Sequence, residues 1–311
     1  MPVFRFIANQ MAPLTLLGAV LAFVWPPLFL IFKDVFLWLF AATMFALGIV
    51  LRQQELRATV REPGKITAGV LTQYSVMPVL GFAAASSGLV SPEIALGFVI
   101  VACAPGAMAS NVIVYLAGGA VAYSIALTTV ATVLSPLLTP ALVKWLGGAF
   151  LPVQFWPLML TIIKTVLVPL LLGMLVRRWL EARHGRQLVL ASEIAPAVAA
   201  LAIIIICSYA VAANVERIRE VGGVVIMLVV VVNALGYLLG YGLARLYGFD
   251  TRHRLTLAIE IGMQNAGLGV ALALAHFPPQ TALPGALFAF WCVLTAAGAS
   301  AWLKRRHAHA A

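Results

Sequence analysis

The sequence predicts an all-α protein that crosses a membrane many times, and three observations support that prediction. Of the 311 residues, 63% are hydrophobic and only 10% are charged, and the mean hydropathy is +1.05. Soluble domains average about 45–50% apolar and about 25% charged residues. A water-soluble fold could not bury so much apolar surface, so the bilayer must be the solvent for most of the chain.

The apolar residues fall into ten segments, each close to the roughly 20 residues that a helix needs to cross a bilayer. Their approximate limits are 12–32, 35–51, 66–87, 93–117, 121–146, 155–176, 190–213, 222–247, 254–275 and 282–303. The connections are short, so residues 1–311 are predicted to form a single unit. If the spans are two repeats of five, the odd number of crossings makes the repeats inverted, as is common among secondary transporters.

The distribution of the 20 Lys and Arg residues predicts the orientation. With the N-terminus in the cytoplasm, Lys164 lies within a span and four cations lie outside, namely Lys33, Lys144, Arg217 and Arg219. The other 15 lie inside: Arg5, Arg52, Arg57, Arg61, Lys65, Arg177, Arg178, Arg183, Arg186, Arg245, Arg252, Arg254, Lys304, Arg305 and Arg306. Because cytoplasmic loops carry the excess of cations, we expect both termini on the cytoplasmic side of a cell (inner or plasma) membrane. The same placement argues against a nucleic-acid partner, despite the net charge of +10.

The fourth and ninth spans, which correspond in the two halves, are both interrupted by polar and helix-breaking residues. The fourth contains Pro105 and Gly106 followed by Ser110 and Asn111, and the ninth contains IEIGMQNAGLG over 259–269. Proline removes a backbone donor and glycine weakens a helix, and a broken helix cannot face lipid. Broken spans in corresponding positions point to a binding site near the membrane midplane.

Glu260 is the exception among the ten acidic residues, because it lies several residues inside its span. An intramembrane carboxylate is a functional-site hypothesis by default, and a protonated or hydrogen-bonded structural glutamate is the alternative. Gln264 lies one turn later on the same face, which favours a polar site. One carboxylate with several neutral oxygens suits a hard monovalent cation. Sodium is the first candidate, and a proton on Glu260 is the competitor.

Further oxygen-bearing side chains lie in neighbouring spans. The third span contains Gln73, and the fifth contains Ser124 and Thr128, which are four residues apart and share a face. Taken singly, each hydroxyl is better explained by a bond to its own helix backbone. Together with Ser110 and Asn111, these side chains indicate a set of cation ligands.

Two motifs make the sequence resemble the bile acid:sodium symporter family. They are APGAMASNVIVYLAGGAVAYSIALTTVATVLSPLLTP over 104–140 and EIGMQNAGLGVALA over 260–273, with Gln73 upstream. The likeness in length and span layout covers essentially the whole chain. It implies ten transmembrane helices in two inverted five-helix repeats, with helices 4 and 9 broken and crossing. It also implies scaffold helices at about 12–51 and 155–213, and core helices at about 66–146 and 222–303.

The resemblance implies two sodium sites with a substrate site beside them. The first sodium site falls on Ser110, Asn111, Ser124, Thr128 and Glu260. The second falls on Gln73, Glu260, Gln264 and the backbone carbonyls of Ile261 and Met263. The substrate is expected near the crossing, against Ala107, Met108, Asn265 and Ala266, where positive helix ends favour an anionic group.

The implied function is sodium-coupled symport of a small organic anion, bile-acid-like or another carboxylate, by a monomer or weak homodimer. The substrate stays open at Met108, because bacterial relatives commonly carry Gly-Gly-Thr where this chain has Gly106, Ala107 and Met108. The alternative on the same fold is a proton-coupled organic-acid transporter or exporter. An enzyme is not favoured, because the spans lack paired carboxylates, HExxH and Ser/His or Cys/His constellations. Lys164 is interpreted as a snorkelling or structural cation, or as a charge that attracts an anionic substrate.

Overall fold

The computed structural model describes residues 10–51, 62–183 and 185–292, with isolated positions at 4, 6, 7, 294, 295 and 298. The described chain is helical and contains no named strand. Its helices are α1 Met11–Val24, α2 Pro27–Leu30, α3 Phe36–Val50, α4 Pro63–Ala85, α5 Pro92–Ala102, α6 Ser110–Leu116, α7 Val121–Leu142, α8 Phe155–Ile162, α9 Val168–Arg183, α10 Gly185–Ala212, α11 Val215–Leu246, α12 Thr251–Gly262 and α13 Ala266–His276. A further helix, α14, is described over 283–292.

Several of these helices have the length and composition of membrane spans. Within the described ranges, five are long and apolar enough to cross a membrane, namely Pro63–Ala85, Val121–Gly147, Phe155–Arg183, Gln187–Ala212 and Val215–Leu246. Four shorter apolar helices are Pro13–Val24, Phe36–Val50, Pro92–Ala102 and Ala266–His276. The last two are short because the breaks in the fourth and ninth spans interrupt them. Such a set of helices is that of a polytopic membrane protein.

The sixth and eighth spans are longer than predicted. The sixth continues through a π-turn at Ile163–Leu167 to Arg183, where the prediction ended at 176, and α11 begins at Val215, where the prediction began at 222. Arg177 and Arg178, predicted to lie in a loop, therefore lie within α9. The prediction stopped at the first charges, whereas a helix can continue beyond the hydrocarbon core into the headgroup region.

Some of the predictions fall on residues outside the described ranges. The second half of the predicted tenth span, 282–303, lies beyond residue 292, where only isolated positions are described. Among the cations that set the orientation, those outside the described residues are Arg5, Arg52, Arg57, Arg61, Lys304, Arg305 and Arg306. The inverted repeat and the orientation therefore stay predictions.

The two helix breaks meet in the interior of the protein. The first separates α5 from α6, and the second separates α12 from α13. The Ala107 amide donates to the Met263 carbonyl at 2.9 Å, and the Asn265 amide donates to the Pro105 carbonyl at 2.8 Å. These two antiparallel hydrogen bonds satisfy backbone groups that the helices have released, as the absence of water in a bilayer requires.

Close packing holds the helices around this meeting point. A Cβ atom built on Gly48 of α3 would lie 3.0 Å from the Cα atom of Gly173 in α9, and one built on Gly173 would lie 3.0 Å from that of Gly48. Only glycine permits this approach. Helix α10 packs against α1 and α3, α11 packs along α12, and α4 packs against α5, α7 and α11. The division into a scaffold and a core is not tested by these contacts and stays a prediction.

Candidate functional site

Glu260 lies in the last turn of α12, and hydroxyl groups from two other helices surround its carboxylate. The side chain is 1% exposed. Ser110 Oγ lies 2.5 Å from Glu260 Oε1, Ser124 Oγ also bonds Oε1, and Thr128 Oγ1 lies 2.7 Å from Oε2. A buried carboxylate requires partners that compensate for the loss of water. These three hydroxyls provide part of that compensation.

Local structure explains why these hydroxyls converge. Ser110 is the first residue of α6, so the break that precedes α6 places it at the level of the crossing. Ser124 and Thr128 lie one turn apart on α7 and point to the same side. All three side chains are buried, with exposures of 0 to 1%. The polar face of α7 and the start of α6 therefore form two walls around the end of α12.

The cluster contains more close oxygen contacts than hydroxyl protons. Ser110 Oγ also lies 2.6 Å from the Ala107 carbonyl, Ser124 Oγ lies 2.7 Å from Asn111 Oδ1, and Thr128 Oγ1 lies 2.9 Å from the Ser124 carbonyl. Each of the three hydroxyls thus has two acceptors at hydrogen-bond distance, but a hydroxyl donates only one proton. Three of the six oxygen pairs have no hydroxyl proton between them.

This geometry brings together all five residues of the first predicted sodium site. Ser110, Ser124 and Thr128 each contact the Glu260 carboxylate directly, and Asn111 joins through Ser124. Among the described residues, no three His, Cys, Asp or Glu side chains cluster as a metal site. One carboxylate among neutral oxygens offers a single negative charge, which matches a monovalent cation better than a divalent one.

The residues of the second predicted sodium site also lie together, but their oxygens already accept hydrogen bonds. Gln73 Nε2 donates to Gln264 Oε1 at 2.9 Å, and Gln264 Nε2 donates to the Ile261 carbonyl at 2.9 Å. The Met263 carbonyl accepts from the Ala107 amide. Both glutamine side chains are 1% exposed. In this arrangement a second ion would have to replace hydrogen bonds, whereas the Glu260 cluster is already rich in oxygen pairs without a proton.

Gly106 lies between the two sets of residues. A Cβ atom built on it would lie 3.0 Å from Glu260 Oε2, 3.6 Å from the Glu260 carbonyl oxygen and 3.9 Å from the Met263 carbonyl oxygen. Only the contact with Glu260 Oε2 is tighter than ordinary van der Waals contact, so the absence of a side chain at Gly106 leaves room for the carboxylate.

The four predicted substrate residues line a cavity of about 660 Å³ next to the crossing. Ala107, Met108, Asn265 and Ala266 all belong to its wall. Asn265 also caps α13, because its Oδ1 accepts from the Leu268 amide at 3.1 Å. The volume lies in the usual range of small-molecule sites, about 300–1,000 Å³.

Two residues near the site were not singled out from the sequence, and one that was singled out lies elsewhere. Asn233 Nδ2 donates to the Gly262 carbonyl at 2.9 Å, which satisfies a carbonyl that the end of α12 releases. Its signal was an amide within the apolar run VVVVNALGY. Arg177 lines the cavity. Lys164 is exposed and does not belong to the cavity wall, so it does not attract an anion there.

The chain is similar to proteins of sodium-dependent transport. Residues 37–222 match the model of the Sodium Bile acid symporter family. The uncharacterized sodium-dependent transporter YocS of Bacillus subtilis is 36% identical over 92% of this chain and 88% of that protein. The probable sodium/metabolite cotransporter BASS1, chloroplastic, of Arabidopsis thaliana is 34% identical over 79% of this chain. The aligned part spans 60% of the length of that plant protein.

Proposed function

The chain belongs to the sodium bile acid symporter family, and from that premise we propose that it is a sodium-coupled symporter of a small organic anion that works by alternating access. Family membership makes it a sodium-dependent membrane transport protein and not an enzyme. The ion sites, the number of ions, the class of substrate and the transport cycle are the proposed parts.

The imbalance between oxygen pairs and protons around Glu260 is the observation that carries the proposal. Oxygen atoms 2.5 to 2.9 Å apart without a proton between them repel each other through their lone pairs. A sodium ion among these oxygens would turn that repulsion into coordination, because every ligand would direct a lone pair at the ion. We assign the first ion to Ser110, Asn111, Ser124, Thr128 and Glu260.

A second ion belongs to Gln73, Glu260, Gln264 and the carbonyls of Ile261 and Met263. Its binding would exchange the Gln73–Gln264 and Gln264–Ile261 hydrogen bonds for coordination. Because these bonds connect α4 with the break in the ninth span, an ion there would change how α4 is held against α12 and α13. This supports a link between ion occupancy and the position of the crossing helices.

Proton coupling through Glu260 is the competing function on the same fold. A proton on the carboxylate would raise the number of protons in the cluster to four, against six oxygen pairs. Two pairs would then still lack a proton. A cation resolves all of them, so the geometry favours sodium.

The organic anion would bind in the cavity, between the predicted scaffold and core. Wall residues come from α3 and α10 on one side and from the two helix breaks on the other. The cavity also reaches Leu51, at a helix end that the charge distribution places in the cytoplasm. We therefore assign this arrangement to the inward-facing state of a cycle in which the core moves against the scaffold.

The adjacent threonines of α7 provide a matched test of the first ion site. Thr128 Oγ1 contacts Glu260 Oε2, whereas Thr129 Oγ1 donates to the Ile125 carbonyl of its own helix at 2.7 Å. We expect sodium to raise the thermal unfolding temperature of the protein in nanodiscs relative to choline, because a ligand of the folded state stabilises it. Thr128→Val should weaken this sodium effect, and Thr129→Val should leave it unchanged.

The same experiment extends to the substrate. Small carboxylates are screened with sodium and with choline, and the acid that stabilises most is then tested for uptake into proteoliposomes. Coupling predicts stabilisation and uptake that depend on sodium. Equal uptake in sodium and choline would refute sodium-coupled symport, and equal sodium effects in the two threonine variants would refute the assigned ion site.

A further inference from the structure

Arg177 is the one charged residue in the wall of the cavity within the described chain. It lies in α9, and it is 8% exposed. A buried charge is costly unless it is paired and hydrogen-bonded. The partners of its guanidinium group therefore decide whether it only stabilises the fold or also serves a ligand.

Two of the three guanidinium nitrogens have partners. Nη1 donates to the carbonyls of Ile49 and Val50 at 2.7 and 3.1 Å, at the end of α3, and Nε donates to Glu181 Oε1 at 2.7 Å. Nη2, which carries two N–H groups, has no acceptor among the described residues. Hydrogen bonds from Nε and Nη1 thus hold the guanidinium in place, while Nη2 remains available for a ligand in the cavity.

The composition of the rest of the cavity wall indicates what kind of group Nη2 would bind. Elsewhere the cavity is lined mainly by apolar side chains such as Leu47, Ile125 and Ile203. An anionic group that leaves water for such a cavity needs a charged donor, and guanidinium groups match carboxylate oxygens in shape.

We propose that Arg177 Nη2 binds the carboxylate of an organic anion whose apolar part extends from there toward the helix crossing. This inference rests on the proposed function, because it names the residue that would bind the anionic group of the substrate in the same cavity. It differs from an anionic group held only at the helix ends near Asn265.

Positions along α3 indicate how far the anionic group lies from the crossing. A Cβ atom built on Gly267, at the crossing, would lie 3.4 Å from the ring of Phe40, whereas Arg177 holds the carbonyls of Ile49 and Val50. At a rise of about 1.5 Å per residue, these points of α3 are separated by roughly 14 Å. A ligand that reaches from Arg177 to the crossing must span that separation, which favours an elongated acid over a compact one.

The test compares acids with their uncharged amides in a charge-removal variant. The probes are butyrate, 5-phenylpentanoate and cholate, each beside its primary amide, and binding to the protein in nanodiscs is measured in sodium. Arg177→Gln should weaken binding of the two longer acids roughly tenfold to hundredfold, since a charge-assisted hydrogen bond is lost. Binding of the amides should change little. The matched control is Arg178→Gln, which removes an exposed charge one position further along α9 and should bind like the wild type.

Several results would overturn the inference. In Arg177→Gln, they are an equal loss of acid and amide binding, or acid binding that stays at the wild-type level. In the wild type, they are butyrate binding as tight as that of the longer acids, or no binding of any acid. If Arg177→Gln does not fold, Arg177→Lys replaces it, since an ammonium does not reproduce the guanidinium fork. Acid binding must then fall while amide binding persists, and wild-type acid affinity in Arg177→Lys would refute direct contact.

A sodium titration without any acid separates this inference from the proposed function. If sodium stabilises the wild type and Arg177→Gln alike, and the acids bind both proteins with equal affinity, the carboxylate contact is refuted and sodium binding stands. If sodium stabilises neither protein, the proposed function is refuted.

Discussion

Ser124 contacts both the Glu260 carboxylate and the Asn111 amide oxygen, and its single proton cannot serve both. The same conflict recurs at Ser110 and Thr128. Hydroxyl residues are ordinary in helices, where they bond the backbone of the preceding turn. Backbone hydrogen bonding alone does not explain three hydroxyls around one buried carboxylate, because each hydroxyl also lies within hydrogen-bond distance of a Glu260 oxygen.

Gly106 provides a prediction at this scale. Gly106→Ala would place a methyl group 3.0 Å from Glu260 Oε2. We expect it to destabilise the protein by about 1–3 kcal/mol, as overpacking does, and to weaken sodium-dependent stabilisation in thermal unfolding. Gly223→Ala is the control, because a Cβ atom there meets nothing within 4 Å. It should leave the sodium effect intact, and a wild-type sodium response in Gly106→Ala would contradict the role of Gly106.

At the scale of elements, the broken helices were predictable from the sequence because helix breakers act locally. Pro105 and Gly106, with the polar run that follows, mark the first break whatever surrounds them. The partners of the two breaks were not predictable in the same way. The bond from Asn233 to the Gly262 carbonyl and the bond from the Asn265 amide to the Pro105 carbonyl join residues far apart in the chain. Such contacts depend on tertiary packing, which no local pattern contains.

The start of α12 provides a prediction about an element. Asp250 caps this helix, since its Oδ1 accepts from the amides of Arg252 and His253 at 2.9 and 3.1 Å. Asp250→Ala should cost about 1 kcal/mol of unfolding free energy, whereas Asp250→Ser retains an acceptor and should cost less. Thermal unfolding of both variants measures the difference. Equal stability of wild type and Asp250→Ala would contradict the capping role.

The capping contribution of Asp250 also has a defined pH dependence. The backbone hydrogen bond from His253, followed by the bond to its ring, holds the pKa of Asp250 below its ordinary value of 3.8. A carboxylate with a lowered pKa stabilises the fold above its ordinary pKa, and this stabilisation is lost as the pH falls through the folded value. The stability difference between wild type and Asp250→Ala should therefore narrow as the pH falls below 3.8.

At the scale of the whole molecule, composition and charge distribution predicted a polytopic membrane protein, and the helices and the family agree. The cavity was not predictable, because its wall combines residues from α1, α3, α6, α7, α9, α10, α13 and α14. Leu51 and Arg177 also line it, and under the proposed alternating access such a cavity would belong to one conformation of the cycle. One sequence is common to every conformation of a protein, so it does not specify the conformation in which a cavity is open.

Cysteine labelling tests the orientation and the accessible side of the cavity. Ser192 lines the cavity, and Gln154 lies exposed in the connection predicted to face outward. In a variant with Cys103, Cys207 and Cys292 replaced by alanine, Ser192→Cys should react with a membrane-impermeant maleimide in inside-out vesicles. Gln154→Cys should react in right-side-out vesicles. The reverse pattern would contradict the predicted orientation.

Equilibrium binding of radiolabelled sodium to the purified protein in nanodiscs tests the central claim most directly. Without any organic acid, the wild type should bind sodium saturably, and excess choline should not compete. In Glu260→Gln, removal of the buried charge should weaken binding by about thirtyfold or more, which corresponds to about 2 kcal/mol or more. Absence of saturable binding by the wild type, or equal affinity in Glu260→Gln, would contradict a sodium site at the helix crossing.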